Sequence, residues 1–309
     1  MLYDKIVWLG INFIPIAITY VLTFIALFIG SITDLKTREV PDWVNYGLII
    51  SGVGLNLLFS AVYSDSSFII NSIIGLAIFF GIAYIMFYAG QWGGGDSKMI
   101  MGLGAMIGID VSFQGPQFLL GFFINALFIG AIYGLFWSIY LAAKNKKKFF
   151  MEFRKILLQK NIVRLKKFMI AFLALLSVAF FLINEFPTIW QTYIKILILS
   201  LAFLVLTTFY LWIFVKAIEK SAMYKLVEPN KLTEGDWIVN DVCVKGKYIT
   251  GPKDLGISKS QIRKLVEFYK KGKVKRILIK EGIPFVPSFL VAFITTLVLG
   301  NPLVWLISH

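Results

Sequence analysis

The residues best suited to chemistry in this chain are two aspartates. Asp96 follows three glycines, Gly93-Gly94-Gly95, between two apolar segments, and Asp34 closes the first apolar segment. Each sits where a hydrophobic helix meets a polar loop, a place where an ionisable group is costly and marks function by default. Two neighbouring carboxylates cannot both ionise easily, so such a pair shares a proton. The ionised partner can take a proton from water while the protonated one polarises a carbonyl, which is general acid–base chemistry. Each acid also has a plain structural use. Asp34 can be an interfacial loop charge, and Asp96 an N-cap accepting from the first turn of a helix. The glycines can form a flexible turn or let a backbone or substrate approach the carboxylate closely.

Other catalytic inventories are thin. The chain has one cysteine, Cys243, and one histidine, His309. That leaves no internal disulfide, no cysteine-based zinc site and no Ser–His–Asp triad, so neither metal nor cofactor is expected.

The elements that position the acids are read from hydropathy. Of 309 residues, 58% are hydrophobic and only 16% charged, with mean hydropathy +0.79. A soluble globule carries about 25% charged residues. Period-2 alternation is weak, which argues against a membrane β-barrel. The expected fold is an all-α polytopic membrane protein of about eight transmembrane helices with a small cytoplasmic α/β insertion. The helices fall at 8–33, 43–62, 68–91, 97–109, 117–143, 168–185, 190–216 and 284–306. The first is followed by Asp34, Lys36 and Arg38, not by a small-residue cleavage site, and reads as a retained helix. The fourth is short, about 20 Å against the roughly 30 Å of hydrocarbon. The glycine loop 92–96 is therefore expected to dip below the inner surface, where non-helical backbone must line protein or a wet cavity.

Charge sets the orientation. The net charge is +14, and 26 of 31 basic residues lie in Lys144–Lys167 and Lys216–Lys280. This bias places both stretches inside, against anionic lipid of the inner leaflet rather than nucleic acid. The loops 34–42 and 92–96 then also face inside, and the loops 63–67, 110–116 and 184–190 face outside with both termini. Five segments follow: a catalytic core 1–143, a basic stretch 144–167, a helical hairpin 168–216, a small soluble domain 217–283 and a last helix 284–309. Within the basic stretch, Phe149 to Phe168 reads as an amphipathic helix on the leaflet. In 217–283, Asp236–Val239, Val242–Thr250 and Val274–Lys280 read as strands, with Lys245-Gly246-Lys247 as a hairpin turn. Ser258 with Gln261 is a capping-box signal for a helix ending near Gly272. Trp43, Trp92 and Trp190 read as interfacial anchors, and Asp42 as the cap of the second helix.

The two acid segments together are more specific than either alone. Asp34-Leu-Lys36-Thr-Arg38-Glu-Val-Pro41-Asp42 and Gly93-Gly94-Gly95-Asp96-Ser-Lys98-Met, each at a helix end, resemble the two signatures of the type IV prepilin peptidase family, whose archaeal branch includes the preflagellin peptidases. The hydrophobic framework of residues 8–143 fits, and Gly282-Ile-Pro284-Phe-Val-Pro287-Ser-Phe-Leu290 is similar to the family's approach to its last helix. The resemblance implies an aspartic endopeptidase with its dyad near the cytoplasmic face of the cell membrane. Such an enzyme cuts short basic leaders from pilin-like or archaellin-like precursors. It matches Asp34 and Asp96 to the catalytic acids and Gly93 and Gly95 to the motif glycines. Lys98 can orient Asp96, touch a substrate carbonyl or snorkel to the interface. The cysteine-rich insertion of bacterial members that also N-methylate their product is missing, so no methyltransferase activity is expected. The alternatives are a presenilin-like or signal-peptide-peptidase-like protease, or a cation-coupled transporter using the acids. The first lacks its Tyr-Asp and Pro-Ala-Leu motifs here, and the second lacks inverted-repeat symmetry.

Overall fold

The computed structural model describes residues 2–111, 117–185, 188–244 and 246–300. Among the described residues, ten α-helices run in order: α1 (Leu2–Thr37), α2 (Asp42–Tyr63), α3 (Ser67–Tyr88), α4 (Gly94–Ile107), α5 (Phe118–Lys144), α6 (Lys146–Leu157), α7 (Lys160–Leu182), α8 (Thr188–Ile218), α9 (Lys259–Lys270) and α10 (Val286–Leu299). Between α8 and α10 the described residues include five short strands: β1 (Tyr224–Val227), β2 (Trp237–Ile238), β3 (Val242–Val244), β4 (Lys247–Thr250) and β5 (Ile277–Lys280). The fold is that of a helical polytopic membrane protein. Among the described residues, six helices are long and apolar enough to cross a membrane: α1, α2, α3, α5, α7 and α8. The other two of the eight expected segments, α4 and α10, are helical over fourteen residues each. That is about 21 Å at 1.5 Å per residue, short of the hydrocarbon thickness.

The chain divides into two compact units, residues 1–137 with 227–309, and residues 138–226. In the first unit α4 is the central element. Met99, Ile100, Leu103 and Met106 are fully buried among Leu27, Phe79, Phe122, Phe289 and Phe293. Its neighbours approach closely because they carry no side chain at the contact. A Cβ on Gly75 of α3 would collide with the carbonyl of Gly104, and a Cβ on Gly104 would lie 2.8 Å from Phe79 Cβ. This is the small-residue packing that lets helices pair without a hydrophobic driving force. The last carbonyls of α4, which no helical N–H can reach, are met by side chains instead. Asn56 Nδ2 donates to Ala105 and Met106 at 3.3 and 3.2 Å, and Ser72 Oγ donates to Ala105 at 2.5 Å. Between α5 and α10, Asn125 Nδ2 donates to Thr296 Oγ1 at 2.9 Å.

The α/β segment of the same unit has its own small core of Ile238, Ile257, Leu265 and Ile277. The expected hairpin forms, with β3 antiparallel to β4 and Cys243 opposite Tyr248; Lys245 of its turn lies outside the described residues. β2 and β5 pair antiparallel with Ile238 opposite Ile279. The capping box is present: Gln261 N–H donates to Ser258 Oγ at 3.3 Å, and Ser258 N–H donates to Gln261 Oε1 at 2.8 Å. β1 is a strand that the sequence reading missed. Only four residues long, it carries too little alternation to register.

In the second unit the amphipathic helix expected over Phe149–Phe168 is two helices. α6 ends at Leu157, and α7 starts at Lys160 and runs on into the apolar stretch. Phe149 and Ile156 form the buried face of α6, and Phe149 packs edge-on against Phe214 of α8 at 5.5 Å. His309, the end of the expected 284–306 helix, and parts of the loops 110–116 and 184–190 lie outside the described residues.

The close packing of α3 on α4 has a measurable consequence. Gly75→Val must push the two backbones apart and is expected to lower unfolding free energy by about 1–3 kcal/mol. Gly81→Ala, where a Cβ meets nothing within 4 Å, should instead be neutral or stabilising by up to about 1 kcal/mol. Thermal unfolding in detergent checks both; an unchanged midpoint for Gly75→Val would contradict the packing.

Candidate active site

Asp34 lies within α1, in its last turn, because the helix continues to Thr37 rather than ending before the acid. Leu35 and Lys36 are good helix formers, and Thr37 Oγ1 donates back to the Thr33 carbonyl at 2.9 Å. The loop expected at 34–42 is therefore only 38–41. Arg38 turns the chain with φ +63°. The Asp34 side chain is 5% exposed. Its Oδ2 accepts from the Val286 N–H at 3.0 Å. Val286 opens α10, whose first N–H groups have no helical acceptor and form the positive end of the helix dipole. Asp34 thus caps a helix 252 residues away, which no local pattern could reveal.

Asp96 stands in the first turn of α4. The helix begins at Gly94, three residues before the expected start at 97, so Gly94 and Gly95 are helical and Gly93 is the cap. Asp96 Oδ2 reaches back to accept from the Gly93 N–H at 3.0 Å; Asp96 is the reciprocal partner of the cap, not the N-cap itself. A Cβ on Gly95 would sit 3.4 Å from both the Cβ and the backbone N of Val40, at ordinary van der Waals distance, so the two acid-bearing segments touch at this point. Trp92, expected at the interface, is 3% exposed and packs edge-on against Phe289 of α10 at 5.4 Å. Trp43 and Trp190 are exposed, at 67% and 63%.

α10 therefore braces both acids, one through Val286 and the other through Phe289 and Trp92. The two carboxyl groups lie within each other's electrostatic field. Lys98 does not join them. Its Nζ pairs with Asp42 Oδ1 at 2.6 Å and lies 5.0 Å over the Tyr46 ring. Asp42, expected as a cap, is the first residue of α2, with Pro41 at the cap position and no side-chain cap bond. No group of three His, Cys, Asp or Glu capable of holding a metal is found among the described residues.

Around the acids stand groups that the sequence reading did not single out. Tyr133 of α5 lies in the field of both Asp34 and Arg38, and the Arg38 guanidinium sits 5.0 Å over the Trp137 ring. On the polar side, the Trp237 ring of β2 lies 3.2 Å from where a Cβ on Gly90 would stand, so β2 rests on the end of α3. Next to it, burial pushes the Asp236 carboxyl above its ordinary value, and the nearby Glu39 and Glu281 charges add to the shift.

Comparison with known proteins bears out the resemblance read from the two motifs. Residues 21–135 match the profile of the Type IV leader peptidase family. The preflagellin peptidase of Methanocaldococcus jannaschii is 42% identical over 90 residues, 29% of this chain and 38% of that protein. That of Methanococcus maripaludis is 35% identical over 147 residues, 45% of this chain and 60% of that protein. That of Methanococcus voltae is 39% identical over 90 residues, with 29% and 38% covered. The match thus spans less than two thirds of each of these relatives.

Asp236 supplies a pH test of the local electrostatics. A carboxyl whose value is raised in the fold binds its proton more tightly there than in the unfolded chain. Its contribution to stability falls as pH rises above the ordinary carboxylate value of about 4. Asp236→Asn should therefore gain stability relative to wild type as pH climbs toward neutrality. Thermal midpoints at a series of pH values check this; a difference that shrinks with rising pH would contradict it.

Proposed function

We propose, from the match of residues 21–135 to the Type IV leader peptidase family, that the chain is a membrane-embedded aspartic endopeptidase. In this reading Asp34 and Asp96 are its catalytic acids. The observation that carries it is the meeting of the two motif acids in one braced site, where each carboxyl has one oxygen held by a backbone N–H. The substrates are pilin-like or archaellin-like precursors, of which the archaellin-like class fits the relatives' names best. The reaction is hydrolysis of one peptide bond. The ionised acid takes a proton from water as the oxygen attacks the scissile carbonyl carbon. The protonated acid gives its proton to the carbonyl oxygen. The tetrahedral intermediate then collapses, and the leaving nitrogen collects a proton. Gly93 serves the site by donating its N–H to Asp96, and Gly95 by packing against Val40. Lys98 supports the same turn by tying α4 to α2 through Asp42.

The placement follows the charge bias. The multi-pass chain sits in the cell membrane with both termini outside and the acids toward the cytoplasm, and its basic segments lie against anionic lipid rather than nucleic acid. The α/β segment beside the acids gives the cytoplasmic precursor a structured surface to approach. No N-methyltransferase activity is included, in keeping with the relatives named as peptidases. The presenilin-like and transporter readings are not favoured, because the matched family is that of leader peptidases.

The test is cleavage of a leader-bearing precursor by the purified protein, with the product N-terminus sequenced. Asp34→Asn and Asp96→Asn should each lower turnover by at least about 10³-fold while the protein remains folded. Asp42→Asn should change it less than about threefold, since the exposed Lys98 pair is worth under about 1 kcal/mol. Near-normal cleavage by either acid variant would remove the dyad.

A further inference from the structure

A cluster beside the acids has no role in the chemistry above. Arg38 is held with φ +63°, a conformation that costs a non-glycine residue about 1 kcal/mol or more and clusters at functional sites. Its guanidinium lies over Trp137, and Trp137 stacks on Tyr133 with ring centroids 5.8 Å apart. Tyr133 and Trp137 are one turn apart on α5, and both the Arg38 guanidinium and the Tyr133 ring lie against the Trp137 ring. The Nη1 of Arg38 and the hydroxyl of Tyr133 are both buried, and neither has a hydrogen-bond partner among the described residues. Tyr133 also senses the charges of Asp34 and Arg38. Two buried donors thus lie next to a proposed catalytic acid with nothing to donate to. Leaving such groups unmet costs more than a typical hydrogen bond gains.

We propose that Arg38 Nη1 and Tyr133 Oη form a donor pair that binds a backbone carbonyl oxygen of the extended substrate, one residue or more from the scissile bond. Arg38 carries only donors, and a tyrosine hydroxyl can donate, so the ligand atom is an acceptor. A carboxylate would meet the Asp34 charge beside it and be disfavoured. A neutral carbonyl meets no such repulsion. An extended peptide offers one carbonyl per residue, with none spent in helical hydrogen bonds. The pair would bind peptide backbone without reading a side chain and hold the scissile bond against the acids. The strained turn at Arg38 would then have a use. It directs the guanidinium back to α5, while Val40, two residues on, packs against Gly95.

This rests on the peptidase reading, and the experiment separates the two. The full-length protein is tested in detergent on a leader-bearing peptide in which single carbonyl oxygens near the cleavage site are replaced by sulfur, a poor acceptor. In wild type, one replacement away from the scissile bond should raise KM about five- to tenfold with a much smaller effect on kcat. Tyr133→Phe and Arg38→Gln should each raise KM by a similar factor for the all-oxygen peptide. In either variant the sulfur replacement should then cost little more, since the two changes remove the same interaction. A merely structural role for the stack would leave the sulfur penalty unchanged. The same coupling should appear when binding, not turnover, is measured in an Asp96→Asn background. If Arg38→Gln fails to fold, Tyr133→Phe, which keeps the ring stack, decides alone. If wild type cleaves but every sulfur penalty is equal in wild type and Tyr133→Phe, the carbonyl site falls and the peptidase stands. If wild type neither cleaves nor binds the peptide, both fall.

Discussion

The hydrogen bond from the Val286 N–H to Asp34 Oδ2 is the interaction on which the site depends. A buried carboxylate is costly unless it is met by donors. Here the donor is the free first turn of α10, whose dipole favours negative charge. The bond joins the end of α1 to the start of α10 across 252 residues of chain. From that joint, α10 carries Phe289 against Trp92, and Trp92 immediately precedes the glycines that present Asp96. One helix therefore sets the placement of both acids. Pro287 at its start is compatible with this role, because proline lacks only an N–H that would find no helical partner there.

The second constraint is the short central helix. α4 cannot span the hydrocarbon thickness at fourteen residues, and it carries an acid at its first turn. Its burial is made possible by glycines at the α3 contact and by Asn56 and Ser72, which satisfy its last carbonyls. Side chains from neighbouring helices thus meet the Ala105 and Met106 carbonyls of its last turn.

Much of this was legible in the sequence. The apolar segments, the two acids, the motif glycines, the β3–β4 hairpin and the Ser258–Gln261 box follow from periodicity and spacing, which are local. What was not legible is what long-range packing decides. Gly94 and Gly95 read as loop because glycine disfavours helix, yet both stand in the first turn of α4, where Gly95 packs against Val40 of the facing segment. Trp92 read as an interfacial anchor because it borders a loop, but Phe289 buries it. Lys98 follows Asp96 closely in sequence, yet it points to Asp42 because helical geometry turns it toward α2. The unpartnered Arg38 and Tyr133 are visible only once α5 is laid beside the first motif.

The most direct measurement is the pH dependence of kcat/KM for one leader-bearing peptide, taken over the range in which the protein stays folded. A pair that works with one acid ionised and its neighbour protonated must lose activity on both sides of an optimum, and the two apparent pKa values belong to the pair. The account predicts that bell. A rate that climbs to a plateau and stays there at high pH would show that no protonated carboxyl is needed, and would contradict catalysis by Asp34 and Asp96 together.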